Sequence, residues 1–160
     1  MTQLTDTSSK KLHSCYVSHT YTLNLLHVVF STKNRAPLIR NLELLIKNLR
    51  GIARNKNIDV LAAGGTQNHI HLLLRIPPTR QVSESIRDLK ANSSRYMSET
   101  CGHFAWQDGY AAISVSPSQV NAVRAYLDGQ QQHHAKRTHQ QEVSALLEKS
   151  GITYEREYFL

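Results

Sequence analysis

The stretch His69-Ile70-His71-Leu72-Leu73-Leu74 is short and apolar apart from two histidines, a pattern that predicts a buried β-strand. Successive strand side chains point to opposite faces, so His69 and His71 project side by side from one face of the sheet. Two neutral imidazoles in this arrangement can bind one cation. A pair of core or half-exposed histidines that hydrogen-bond to their neighbours is the more common explanation of this spacing. The pair alone therefore does not define a metal site.

Further elements are predicted on both sides of this strand from hydrophobic periodicity and turn signals. We expect strands at residues 25–30, 58–63 and 111–115, a turn at 64–68, and helices at 40–54, 82–97 and 136–150. The stretch Ser116-Pro117-Ser118-Gln119 predicts a capping box at the start of one more helix. In this motif the side chains of the serine cap and of the glutamine three residues later accept hydrogen bonds from backbone N–H groups at the helix start, and proline is favoured at the first helical position.

This order of elements, strand, helix, strand, strand, helix, strand, helix, predicts an α+β fold. The expected architecture is a ferredoxin-like or RRM-like four-stranded antiparallel sheet with helices packed on one face, plus a C-terminal helix that bears Tyr126. Residues 1–18 are rich in serine and threonine and are predicted to form a loose N-terminal arm. Residues 19–160 are predicted to form a single domain.

Charge and composition point to a polyanionic partner. The 160 residues carry a formal net charge of +7, with a pI of about 9.6. The two cysteines, Cys15 and Cys101, are far apart and support neither a disulfide framework nor a zinc knuckle. No apolar run approaches the length of a membrane span, and the polar N-terminus has no signal-peptide pattern. We therefore expect a soluble, cytoplasmic protein.

Tyr126 and Gln130 lie four residues apart in the helix that follows Ser116, so a phenol and a neutral amide share one helix face. A half-buried tyrosine that hydrogen-bonds to a surface glutamine would produce the same spacing. Periodicity does not distinguish these two interpretations.

Several blocks of the chain, in this order, carry a family resemblance. They are residues 26–35, Asn68 to Leu74 with its two histidines, residues 89–95, residues 104–110, and Tyr126 with Gln130. The combination resembles the HUH motif and tyrosine helix of the single-tyrosine transposases of the IS-200/IS-605 insertion-sequence family, which include repeat-associated tyrosine transposases. The likeness covers most of residues 21–160.

The resemblance implies a DNA transposase, a single-strand endonuclease and strand transferase. His69, His71 and Gln130 would hold one divalent cation, Mg²⁺ or Mn²⁺, and Tyr126 would attack single-stranded DNA. The products would be a 5′-phosphotyrosine and a free 3′-hydroxyl, which another strand end can rejoin. The resemblance also implies a homodimer that binds DNA hairpins at the ends of a mobile element.

Basic and aromatic side chains are candidates for DNA contact. The basic candidates are Lys33, Arg35, Arg87, Lys90, Arg95, Lys136 and Arg137, and the candidate stacking platforms are Trp106 and Tyr110. Solvated charges and core aromatics explain the same residues equally well.

Three alternatives stay open. The first is an RNA-recognition module, although such modules carry aromatics on the central strands, where this chain has histidines. The second is a domesticated relative that binds DNA or RNA hairpins without cleaving them. The third is a zinc hydrolase with a water nucleophile, which predicts that Tyr126→Phe retains activity.

Overall fold

A computed structural model describes residues 21–130 and 139–154 of the chain. The strands are β1 Leu25–Ser31, β2 Asp59–Gly65, β3 His69–Arg75 and β4 Ala111–Ser114. The helices are α1 Leu42–Asn55, α2 Val82–Cys101, α3 Val120–Asp128 and α4 His139–Lys149, with short 3-10 turns at Lys33–Arg35 and Pro117–Gln119. The predicted N-terminal arm, residues 1–18, lies outside the described residues, and the single domain over 19–160 stays a prediction.

The four strands form one sheet in the order β2-β3-β1-β4, and every neighbouring pair is antiparallel. The predicted α+β, ferredoxin-like architecture is therefore confirmed. Because β1 and β3 are the two central strands, both of their faces can be covered by helices. The two histidines of β3 consequently lie in the interior of the sheet.

One face of the sheet packs against α1 and α2. Ile70, Leu72 and Leu74 of β3 point to this face and are fully buried together with residues of β1 and of both helices. In α1 the buried side chains recur every four residues, at Leu45, Leu49 and Ala53, as expected of a helix that buries one stripe. This layer is the main hydrophobic core.

The opposite face is covered by α3 and α4. Leu73 of β3 packs with Val120 and Leu127 of α3, and Val29 of β1 packs with Val143 and Leu147 of α4. RNA-recognition modules of this topology bind RNA on an open sheet face. Here that face is occupied by the chain's own helices, which argues against the first alternative.

Two local predictions are corrected. Residues 116–119 do not form a capping box: Pro117–Gln119 is a 3-10 turn, α3 begins at Val120, and the Ser116 hydroxyl contacts the Ser118 hydroxyl at 2.9 Å. Pro117 does occupy the first position of the turn, where its missing N–H carries no penalty. Gly64 and Gly65, predicted to start the hairpin turn, are instead the last two residues of β2.

Within residues 21–130 and 139–154, none of the helices is both long enough and apolar enough to cross a lipid bilayer.

Candidate active site

The imidazoles of His69 and His71 project from the same face of β3, as the strand periodicity predicts. Both side chains are fully buried, and their ring centroids lie 5.1 Å apart with the ring planes nearly perpendicular. The shared orientation of the two side chains is confirmed. It follows directly from the alternation of side chains along a strand.

A carboxylate from α4 faces the two imidazoles. Nε2 of His69 lies 3.9 Å from Oε2 of Glu142, and Nε2 of His71 lies 3.6 Å from its Oε1. The three potential ligand atoms all lie within 4.8 Å of one another. Sequence reasoning missed Glu142, because no spacing rule connects it to β3.

The donor set fits a divalent cation. Two ligand atoms that are each about 2.1 Å from an octahedral ion lie about 3 Å apart, which is slightly closer than the separations found here. The distances of 3.6 and 3.9 Å from the carboxylate oxygens of Glu142 to the imidazole nitrogens are longer than a hydrogen bond. The three groups therefore surround a small gap. Two imidazole nitrogens and one carboxylate oxygen can bind a divalent cation and leave coordination positions for a substrate.

Gln130 lies beside this group. Because α3 ends at Asp128, Gln130 is not on the helix that bears Tyr126, which corrects the prediction that both side chains share one helix face. Its side chain is almost fully buried, and its Nε2 donates a hydrogen bond to Oε1 of Glu142 at 2.8 Å. The structure therefore brings Gln130 into contact with Glu142, the carboxylate that faces both predicted histidines. Its predicted role as an oxygen ligand stays a prediction, since its amide nitrogen is the end that faces the carboxylate.

Burial shifts the proton equilibria of two groups at the site. The apolar surroundings raise the pKa of Glu142 from 4.5 to about 7, because burial disfavours the charged carboxylate. Burial lowers the pKa of His27 from 6.5 to about 4, so this imidazole is neutral at physiological pH. A bound cation would favour the ionised form of Glu142.

The tautomer of His69 is set by its neighbours in the β2–β3 turn. Oδ1 of Asn68 lies 2.7 Å from Nδ1 of His69 and also accepts a hydrogen bond from the Thr66 hydroxyl. Because a carbonyl oxygen only accepts, Nδ1 of His69 must carry the proton. Its Nε2 then directs a lone pair toward Glu142, which is the form that a metal ligand needs.

His27 of β1 contacts the second histidine, and sequence reasoning missed it. Its Nε2 lies 3.0 Å from Nδ1 of His71, and the residue is buried. The one signal in the sequence was a lone histidine within an otherwise apolar strand, beside a strand with two more.

Tyr126 extends from α3 into the same region. Its half-buried ring lies 5.9 Å from the ring of His71 and 6.1 Å from the ring of His27, measured between centroids, in edge-on orientations. One chain thus brings together the predicted nucleophile, both predicted histidines and Gln130.

A glycine allows α3 to approach the sheet this closely. Gly64 of β2 is paired with His71 across the sheet, and a Cβ at Gly64 would collide with the carbonyl oxygen of Leu127 in α3. The backbone of α3, the helix that bears Tyr126, therefore contacts the backbone of β2 at the residue paired with His71. Any other residue at Gly64 would push Tyr126 and Gln130 away from the histidines.

The predicted DNA-contact residues differ in their surroundings. Lys33, Arg87 and Arg95 are exposed and Arg35 is half-buried. The ammonium of Lys90 donates to the carbonyl oxygens of Gln107 and Gly109, so it holds the loop before β4. Lys136 and Arg137 lie outside the described residues.

Trp106 requires a correction. Its side chain is only 8% exposed, its ring packs edge-on against Phe30 and Phe104, and its Nε1 donates to the Ser93 hydroxyl. An indole buried to this extent in the core offers no platform for a base. Tyr110 is 44% exposed and keeps that possibility.

Comparison with known proteins identifies related sequences and folds. A family model described as "Transposase IS200 like" matches residues 19–130. The ISDra2 transposase TnpA of Deinococcus radiodurans is 26% identical over 90 residues, which cover 51% of this chain and 64% of that protein. This chain thus matches less than two thirds of that relative's length.

Two solved structures share the fold. A crystal structure from Deinococcus radiodurans R1, assigned as a transposase, has a TM-score of 0.60 at 21% identity and covers 72% of this chain and 97% of its own. A REP-associated tyrosine transposase bound to a REP hairpin has a TM-score of 0.52 at 15% identity, covering 72% and 70% of the respective chains. At these identities the likeness shows the fold alone.

Gly64→Ala should destabilise the protein by about 1–3 kcal/mol, because the added methyl overpacks the contact between β2 and the α3 backbone. Urea denaturation measures the change. The matched control is Gly51→Ala in α1, where a Cβ meets nothing within 4 Å and where alanine should stabilise the helix by about 0.5–1 kcal/mol. Equal stability of Gly64→Ala and the wild type would show that the backbone of α3 does not pack closely against Gly64.

The pH dependence of the metal-free protein should reveal the buried Glu142. Because its pKa is raised from 4.5 to about 7, its favourable contribution is complete below pH 4.5 and is lost as the pH rises through 7. His27, with a lowered pKa, acts oppositely and reduces stability as the pH falls below 6.5.

Comparison of the wild type with Glu142→Gln isolates the contribution of the Glu142 carboxyl to the pH dependence of stability. The free energy of unfolding of the wild type, minus that of the variant, should fall by up to about 3 kcal/mol between pH 4.5 and 7 in EDTA. A difference that is constant over this range would show that the carboxyl titrates normally.

Proposed function

Because the chain belongs to the IS200-like transposase family, we propose that it cleaves and rejoins single-stranded DNA through a covalent bond between Tyr126 and the DNA. The observation that carries the proposal is the position of the Tyr126 ring, 5.9 Å from the ring of His71, beside the buried group of His69, His71 and Glu142. A phenol next to a cation-binding group matches the chemistry of phosphodiester transesterification.

His69 and His71 would hold the divalent cation, Mg²⁺ or Mn²⁺, together with oxygen ligands. The carboxylate of Glu142 faces Nε2 of both imidazoles, at 3.9 and 3.6 Å, and Gln130 donates a hydrogen bond to it. We therefore propose Glu142 as a ligand and retain Gln130, which the family resemblance implies, as a second oxygen donor. When bound, the cation supplies Lewis-acid stabilisation of the negative charge that develops on the phosphate.

Tyr126 would perform the bond exchange. Its Oη loses a proton and attacks the phosphorus atom, and the bond from phosphorus to the 3′-oxygen breaks as the new tyrosyl ester forms. The departing 3′-oxygen takes up a proton and becomes a free hydroxyl. In the reverse direction, the 3′-hydroxyl of another strand end attacks the 5′-phosphotyrosine and releases Tyr126. The number of phosphodiester bonds is conserved, so no nucleotide cofactor is required.

The proposed substrate is single-stranded DNA with a hairpin. One solved relative is a tyrosine transposase bound to a REP hairpin, and a net charge of +7 favours binding to a nucleic acid. Exposed Lys33, Arg87 and Arg95, with half-buried Arg35, are proposed to contact the phosphate backbone. Lys90 is proposed to act indirectly, through the loop whose carbonyl oxygens it binds.

The resemblance also implies a homodimer, and we retain it as a proposal. Because Tyr126, His69, His71 and Glu142 lie close together within one chain, we propose that each copy can cleave DNA with its own residues. A transposase would act at the DNA of the cytoplasm or nucleoid.

Tyr126→Phe should abolish the covalent adduct. The protein is incubated with Mg²⁺ and single-stranded hairpin DNA from its genomic flanks, and a denaturing gel detects protein-linked DNA. Tyr96→Phe is the matched control, because Tyr96 is an exposed tyrosine of α2, and it should form the adduct at the wild-type level.

The other possible results of this assay identify the alternatives. Cleavage that persists in Tyr126→Phe would indicate a water nucleophile and a hydrolase. A gel shift by the wild type with no adduct under any metal condition would indicate a hairpin-binding relative without cleavage activity.

Glu142→Gln should lower the affinity for Mn²⁺ at least tenfold. Among the described residues, His69, His71 and Glu142 bring their ligand atoms within 4.8 Å of one another, and the substitution removes the carboxylate, the only negatively charged donor of the three. Isothermal titration calorimetry on metal-free protein measures the affinity. Gln130→Ala is titrated in parallel. A loss confined to Gln130→Ala would mean that the amide, and not Glu142, is the oxygen ligand.

A further inference from the structure

We propose that His27 is a positioning residue that holds His71 in the tautomer required for metal binding. The proposal rests on the metal site described above and extends it to a residue on a different strand. Its basis is the contact of 3.0 Å between Nε2 of His27 and Nδ1 of His71, in which both rings are buried.

The sheet register places the two histidines next to each other. In the antiparallel pair of β1 and β3, His27 is opposite Leu73 and Val29 is opposite His71. His27 and His71 are therefore diagonal neighbours, and the contact between their side chains shows that they share the face covered by α3 and α4. Their ring centroids lie 5.2 Å apart, with the ring planes tilted by 35°.

A neutral imidazole carries one proton and one lone pair, on different nitrogens. Nε2 of His71 faces Glu142, so a cation can bind His71 there only if the proton is on Nδ1. Nδ1 points at Nε2 of His27, which accepts that proton in a hydrogen bond if His27 is neutral. The opposite tautomer would direct an N–H of His71 into the cation position.

His69 has an equivalent partner of a different type. Its Nδ1 faces Oδ1 of Asn68, an atom that can only accept a hydrogen bond. The two imidazoles are thus oriented by separate residues, one in the β2–β3 turn and one on β1. Partners of this kind orient a ligand and increase its basicity, and their loss typically lowers metal affinity about 10–100-fold.

His27 also packs edge-on against Tyr126, with ring centroids 6.1 Å apart. A substitution must therefore separate the hydrogen bond from the packing. His27→Phe retains an aromatic ring and removes the acceptor, whereas His27→Gln places an amide oxygen near the position of Nε2 and retains an acceptor.

The test titrates Mn²⁺ into metal-free protein by isothermal titration calorimetry and follows folding by urea denaturation. His27→Phe should remain folded and bind Mn²⁺ about 10–100-fold more weakly than the wild type. His27→Gln should bind within about threefold of the wild type. Leu25→Val is the matched control on the same strand and face, and it should leave the affinity unchanged because Leu25 packs in the apolar cluster of Leu73, Val120 and Leu127.

The Mn²⁺ affinities of the His27 variants test the role of His27, and the behaviour of the wild type tests the proposed function. If the wild type neither binds Mn²⁺ nor forms the DNA adduct, the proposed function fails and this inference fails with it. If the wild type does both, wild-type affinity in folded His27→Phe, or an equal loss in His27→Gln, overturns the role of His27 alone. Should His27→Phe fail to fold, His27→Leu removes the same acceptor with a smaller side chain and carries the same expectation.

Discussion

The alternation of side chains along β3 is the constraint on which the rest of the structure depends. One set of residues, Ile70, Leu72 and Leu74, joins the main core under α1 and α2. The other set, His69, His71 and Leu73, is buried under α3 and α4. A shift of one residue in the register of β3 would exchange the two sets and place both imidazoles in the apolar core. The buried leucines therefore hold the histidines in position.

The site depends on how closely the tyrosine-bearing helix approaches the sheet. Side chains usually separate a helix from the strand beneath it, but at Gly64 the backbone of α3 meets the backbone of β2. Gly64 is the sheet partner of His71, so the closest approach occurs beside the candidate metal ligand. The same short distance places the Tyr126 ring near His71 and brings Gln130 to Glu142. Packing and chemistry thus depend on the same glycine.

Burial has opposite effects on the groups of the site. It disfavours charge, which raises the pKa of Glu142 to about 7 and lowers the pKa of His27 to about 4. A neutral imidazole is the form that binds a cation, and a neutral His27 is the form that can accept a proton from His71. A metal-free site of low charge is therefore compatible with folding, and a cation would restore the charge of Glu142 on binding. This coupling links metal affinity to the packing of α4 over the sheet.

The sequence by itself determined the order of strands and helices and the common face of His69 and His71. These features follow from local periods of two and 3.6 residues, which any stretch of the chain expresses alone. Only the tertiary structure decided that Glu142 and His27 join the site, that Gly64 belongs to a strand under α3, and that Trp106 lies in the core. Those facts depend on which helix packs over which strand. The contacts of His71 with His27 and with Glu142 join residues that are 44 and 71 positions apart, and a local sequence pattern contains no information about them.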